Sequence, residues 1–227
     1  MKKRNSKSNK EQFHLKNGDG ALLVGLTGGM GCGQTTVGKF FEKFGARVIN
    51  ADLLAREVVN KNEEVRKELQ KAFGKGIFYR NGKLKRKYLA HLVFEDEAKL
   101  QRLNRIVHPR MVERVIEEIE SARDSGKYSI IVVDAALIYE VNLEHMFDVI
   151  VVVASQMKHR IERIKERDGL PEKEIRNRIA RQLPIQDKIK WADIVIHNNG
   201  TLEQLEARAR AVYNKLLKMQ KQHAQTV

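Results

Sequence analysis

The stretch GGMGCGQTT, Gly28 to Thr36, decides the fold. Its spacing is that of a phosphate-cradling loop, G-x-x-x-x-G-[K]-[ST], with Gln34 standing where the pattern calls for lysine. The run before it, ALLVGLT (21–27), is short and apolar, as expected of a strand buried on both faces. The run after it places Val37, Phe40, Phe41 and Phe44 at helical spacing and stops at Gly45. ARVIN then reads as a second strand and ADLLAREVV as a second helix. Strand, glycine loop, helix and strand within about 30 residues form one βαβ unit.

That context gives the loop a chemistry. Gly28, Gly29, Gly31 and Gly33 let the backbone N–H groups, those of Met30 and Cys32 among them, surround an anion at the positive end of the following helix. Thr35 supplies the hydroxyl expected on Mg²⁺, and Thr36 can help at an α-phosphate. A lysine at position 34 would bridge β- and γ-phosphates. Gln34 reaches as far but donates only a neutral N–H, and charge-assisted bonds are roughly twice as strong. One lost donor of this kind costs on the order of a hundredfold in rate unless another cation replaces it.

Further along, residues 61–127 read as mostly helical, with a turn at YRNGK and with Pro109 near a helix start. SIIVVDAALIYE and DVIVVVA are two more strands rich in β-branched residues. Residues 156–190 are charged and helical, interrupted at GLP (169–171). ADIVIHNNG supplies a last strand and turn, and TLEQLEARARAVYNKLL an amphipathic closing helix. The pattern predicts an α/β fold of the P-loop NTPase type: a five-stranded parallel sheet flanked by helices, with a helical lobe at about 61–127 and a charged helical pair at about 156–190.

Composition narrows the setting. The chain has 227 residues, 42% of them hydrophobic, enough for one α/β domain with a small inserted lobe. Its one cysteine, Cys32, excludes an internal disulfide framework and suits a reducing cytoplasm. No apolar run approaches the roughly 18 residues of a membrane span, and the first residues lack the apolar core of a signal peptide. Residues 1–20 are basic and nearly devoid of apolar side chains, so a disordered tail is expected. The formal charge of +14 invites nucleic acid as a partner. The charge is spread along the chain, however, without the aromatic-interleaved patch that stacks bases, so polyphosphate substrates are the better expectation. No feature fixes an oligomeric state.

Five segments in order, VGLTGGMGCGQTTVGKFF, VINADLLAREVV, IVHPRMVERV, VVDAALIYE and RDGLPEKEIRNRIARQLPIQDKIKWADIVIHNNGT, resemble the dephospho-coenzyme A kinase family from about Leu22 to the closing helix. The resemblance implies ATP as phosphoryl donor, Mg²⁺ as cofactor and the ribose 3′-hydroxyl of dephospho-coenzyme A as acceptor. It makes Asp52 the general base; the family's preceding aspartate is Asn50 here. Arg56, one turn after Asp52, can meet a substrate phosphate. His108, with Pro109, matches the family's pair in the substrate lobe. Asp134, at a strand end, can hold Mg²⁺ through water. AALIYE keeps Glu140 for the substrate side but lacks the family's proline.

The charged helical pair at about 156–190 resembles the family's lid, and in it Arg167 and Arg178 match recurring positions, Arg167 for catalysis and Arg178 for ATP. Arg163 lies in the same charged pair of helices. Arg181 is an added arginine that offers one way to offset Gln34. Asn198 and Gly200 match the turn that borders the adenine. Two other readings stay open: a nucleotide- or coenzyme A-binding protein impaired by Gln34, and a basic RNA-binding protein on the same scaffold.

Overall fold

The computed structural model describes residues 20–94 and 96–224; the expected tail lies almost wholly outside them. Two compact units divide the chain. One comprises residues up to Ile49 together with Ile119 onward, and the other spans Asn50–Glu118.

The first unit contains a five-stranded sheet built from β1 (Leu22–Gly28), β2 (Arg47–Asn50), β3 (Ile130–Asp134), β4 (Val149–Ala154) and β5 (Ile194–His197) in the order β2-β3-β1-β4-β5. All strands are parallel; β1 runs between β3 and β4, with Leu26 paired to Asp134 on one side and Gly28 to Val153 on the other. Every residue of β1, β3 and β4 is buried, which explains why these runs read as unbroken apolar stretches. The order reverses at β1, so the segment leaving its carboxyl end sits at the topological switch point where such sheets bind ligands.

Helices cover both faces. α1 (Gln34–Lys43) and α9 (Leu202–Ala224) bury Val37, Phe41, Leu205, Ala209 and Leu216 against one face. On the other, Ile138, Ile150 and Val152 pack with Ile185 and Ile189 of α8 (Ile185–Trp191). The charged pair is α6 (Met157–Asp168) and α7 (Glu172–Ala180), zipped by Ile161, Ile164, Ile175 and Ile179. Gly169, left-handed at φ +65°, ends α6.

The second unit contains α2 (Ala51–Lys61), α3 (Glu63–Phe73), a short 3₁₀ turn, α4 (Arg86–Phe94) and most of α5 (Glu97–Asp124) around a core that includes Val58, Leu69, Ile77 and Val107. The compact unit begins at Asn50, so it takes in α2, earlier than the expected boundary at 61.

Two local expectations differ. β3 ends at Asp134: the Ala135 amide makes a last bond to Leu26 O, and the chain then turns away although β1 continues to Gly28, with Ala136 O taken by Lys188 and the Thr27 hydroxyl. Pro109 lies inside the 28-residue helix α5, since helical residues from Glu97 onward precede it. Among the described residues, no helix is long and apolar enough to cross a membrane.

Candidate active site

The glycine loop between β1 and α1 is held from outside through its carbonyls. Gly28 O accepts from Lys188 Nζ at 3.4 Å, Gly29 O from the Cys32 amide at 2.9 Å, and Met30 O from Arg160 Nε at 2.8 Å. Gly31 O accepts from Arg163 Nη1 at 3.4 Å, Cys32 O from Asn198 Nδ2 at 2.9 Å, and Gly33 O from the amides of Thr36 and Val37. With the carbonyls engaged, the N–H groups of Gly31, Gly33, Gln34 and Thr35 have no acceptor among the described residues. Unpartnered amides at a helix start form an anion cradle. Gly33 is essential to this shape: its φ is +90°, and a Cβ there would collide with the Asn198 amide.

Gln34 opens α1, and its side chain turns to the strand ends. Nε2 donates to Leu26 O at 3.1 Å and to Asp134 Oδ1 through a short contact. Asp134 is buried at the tip of β3, and the Thr35 side chain is exposed in the first turn of α1. Among the described residues no group of three or more His, Cys, Asp or Glu could hold a metal. One carboxylate and one hydroxyl nevertheless fit Mg²⁺, which usually takes one or two carboxylates plus water and phosphate oxygens.

The sequence reading did not single out Lys188, Gln182 or, among the arginines between 160 and 181, Arg160. Lys188 is 0% exposed; besides Gly28 O it donates to Ala136 O at 2.9 Å and pairs with Glu140 Oε1 at 2.7 Å. Glu140 Oε1 also accepts from the Leu183 amide at 3.2 Å. Through Oε1, Glu140 braces β3's exit against α8, while its Oε2 is buried with no hydrogen-bond partner. Gln182 Oε1 accepts from the Met30 amide at 2.8 Å. Lys188 falls in register with Ile185 and Ile189, and Arg160 with Ile161 and Ile164. A cation inside an apolar helical stripe was the available signal.

Asn198, the residue expected to border the adenine, contacts the glycine loop. It is buried, its amide donates to Cys32 O, and its own oxygens accept from Arg163. Asn199 instead lines an open cleft of about 330 Å³ with Ser155, Gln156, Ile185, Ile189 and His197. Gly200 follows as an exposed residue before α9.

Two arginines of the charged helix pair are held by carboxylates. Arg167 makes a two-pronged pair with Asp168 at 2.8 and 2.7 Å, and Arg178 Nη2 donates to Glu174 at 2.6 Å. The Arg167 side chain is 65% exposed, and exposed pairs contribute little, so exchange for a phosphate is cheap. Arg181 is exposed at the C-cap of α7.

In the second unit, Asn50 caps α2 by accepting from the Leu53 amide at 2.9 Å, which places Asp52 in the first turn and not at the cap. Asp52 is exposed as a residue, yet the desolvation of its carboxyl by its surroundings raises it above the ordinary carboxylate range, and Arg56 on the next turn pulls it back. Such a carboxylate is a stronger base than a free one. His108 is pushed down by burial, so its ring is neutral at pH 7.

Comparison with known proteins agrees with this layout. The family model described as dephospho-CoA kinase matches residues 22–204. A dephospho-CoA kinase of Thermobifida fusca is 40% identical over 195 residues, covering 86% of this chain and 96% of the relative. One from Arabidopsis thaliana is 37% identical over 190 residues, covering 84% and 82%. A Thermus thermophilus protein of known crystal structure superposes with a TM-score of 0.71 at 31% identity, over 86% of this chain and 98% of the other. With the family model spanning the loop, the second unit and the lid helices alike, the chain belongs to the dephospho-CoA kinase family.

Proposed function

We propose that the protein transfers the γ-phosphoryl group of ATP to the ribose 3′-hydroxyl of dephospho-CoA, the closing step of coenzyme A synthesis, in the cytoplasm. The observation that carries the reading is the family match across residues 22–204, a span that takes in the glycine loop, Asp52 and the charged helix pair. The loop amides bind the β- and γ-phosphates, and the cleft beside Asn199 and His197 takes the base. Asp52 accepts the hydroxyl proton as the ribose oxygen bonds to the γ-phosphorus and the bond to the β-phosphate oxygen breaks, releasing ADP. Arg56 and His108 hold the acceptor. Arg167 and Arg178 leave their carboxylates for the transferring group as the lid closes, which also excludes water.

Asp134 and Thr35 would hold Mg²⁺. When bound, the ion would neutralise charge on the phosphates. The test is coupled ADP release with ATP, Mg²⁺ and dephospho-CoA, comparing the chain with Gln34→Lys. Turnover by the parent chain is expected, with lysine accelerating it. A second reading, a binding protein slowed by its loop, is favoured by one contact: Gln34 spends its amide on Leu26 O and Asp134. A silent parent chain restored by Gln34→Lys would select that reading.

A further inference from the structure

Three cations hold carbonyls of the glycine loop, and they differ in their counter-charges. Lys188 carries its own in Glu140. Arg160 and Arg163 do not: neither has a carboxylate partner among the described residues, since their contacts are Met30 O, Gly31 O, the Ser155 hydroxyl and both oxygens of Asn198. No acid on the same helix reaches them: Glu162 lies beside His159, Asp168 pairs with Arg167, and Glu166 makes no ion pair among the described residues. Arg160 is 4% exposed. A guanidinium so buried, with only neutral acceptors, is costly until an anion comes near.

Its position says which anion. Nε donates to Met30 O, and Nη2 lies over Gly29, 2.8 Å from where a Cβ would stand. The peptide whose carbonyl it holds ends in the Gly31 N–H, one of the loop amides without an acceptor. Polarising that carbonyl strengthens the amide as a donor, and the guanidinium adds its field behind the cradle.

We propose that Arg160, with Arg163 beside it, is a positioning residue of the phosphate loop and supplies from behind the loop part of the positive charge that position 34 lacks. The exposed Arg181 is not required for that offset. The inference rests on the loop binding the phosphates of ATP.

The test uses the full chain, titrated calorimetrically with Mg·ATP and with adenosine, alongside the melting temperature of the ligand-free protein. Arg160→Gln keeps an N–H for Met30 O and removes the charge. It should weaken ATP about tenfold, leave adenosine unchanged and leave the ligand-free melting temperature level or raised. Arg160→Lys should retain most of the ATP affinity. In a Gln34→Lys background the loss from Arg160→Gln should shrink, because the loop then carries its own cation. Unchanged ATP affinity in Arg160→Gln would overturn the proposal. So would a lowered melting temperature with adenosine and ATP weakened equally, the signature of a mere brace. A parent chain that binds no ATP would instead overturn the functional reading beneath it.

Discussion

Removing Lys188 tests how the loop is anchored. The ammonium is fully buried, 2.7 Å from Glu140 Oε1, and it also serves the carbonyls of Ala136 and Gly28. Lys188→Met matches the side chain in length but leaves Glu140, only 17% exposed and already holding one buried oxygen without a partner, as an uncompensated charge. Breaking a buried pair from one side costs about 3–5 kcal/mol. At about 2–4 °C per kcal/mol for a domain of this size, the melting temperature should fall by roughly 6–20 °C. Lys188→Met combined with Glu140→Gln removes the orphaned charge and should recover most of the loss, leaving about 1–3 kcal/mol for the bonds lost at Gly28 O and at Ala136 O, which keeps the Thr27 hydroxyl at 3.3 Å. Thermal unfolding followed by circular dichroism measures all three variants against the parent. A single-variant cost below about 1 kcal/mol, or a double variant equal to the sum of the singles, would refute the reasoning, because coupled partners cannot be additive.

Two further expectations concern the acceptor side and the loop. Asp52 must be ionised to accept a proton, so kcat/KM should fall as pH drops through a value above 3.8, and Arg56→Ala should move that limb to higher pH by removing the charge that lowers it. The stability sign is the opposite of the usual carboxylate case. A carboxyl raised in the folded state contributes stability below its unfolded value and loses it as pH rises through the folded one. Gly33→Ala forces a residue with a Cβ to φ +90° and drives that Cβ into Asn198, so about 1–3 kcal/mol of strain adds to a broken Asn198–Cys32 bond. ATP affinity should drop with stability in that variant. Gly126→Ala, at φ +62° with open space around it, should cost strain alone and leave ATP affinity intact.

Much of this was legible in the chain because the signals were local. Buried parallel strands write themselves as apolar runs, and LLVGLTG, IIVVD and VIVVVA appear where those runs predict them. The glycine loop and the GLP break between the lid helices were readable for the same reason: each depends on backbone geometry that few residues permit. What the sequence did not display was long-range pairing. Glu140 and Lys188 are 48 positions apart, Met30 and Arg160 130 positions, and neither pair leaves a periodic trace. Glu140 therefore read as a carboxylate facing substrate, and Arg160 as one charge among many on a solvated helix. The two adjacent asparagines are indistinguishable in sequence, yet their side chains diverge: Asn198 locks the loop, and Asn199 lines the cleft.

Position 34 shows how a missing charge redistributes. A lysine there would pair with the buried Asp134 as well as with phosphate, and so would share its charge between the two. The glutamine amide satisfies Asp134 as a hydrogen-bond donor without neutralising it. In the proposed reaction Gln34 therefore leaves to a divalent cation the charge that a lysine would have neutralised. The phosphate side is then left to loop amides backed by Arg160 and Arg163, groups fixed by helix α6 and held without a competing carboxylate. A fixed dipole or cation needs no reorganisation when charge develops in the transition state, whereas a lysine on a flexible stem must be held in place. The substitution therefore moves the burden of phosphate stabilisation from one mobile side chain to a rigid outer layer, which makes Arg160 more sensitive to replacement in this chain than it would be beside a loop lysine.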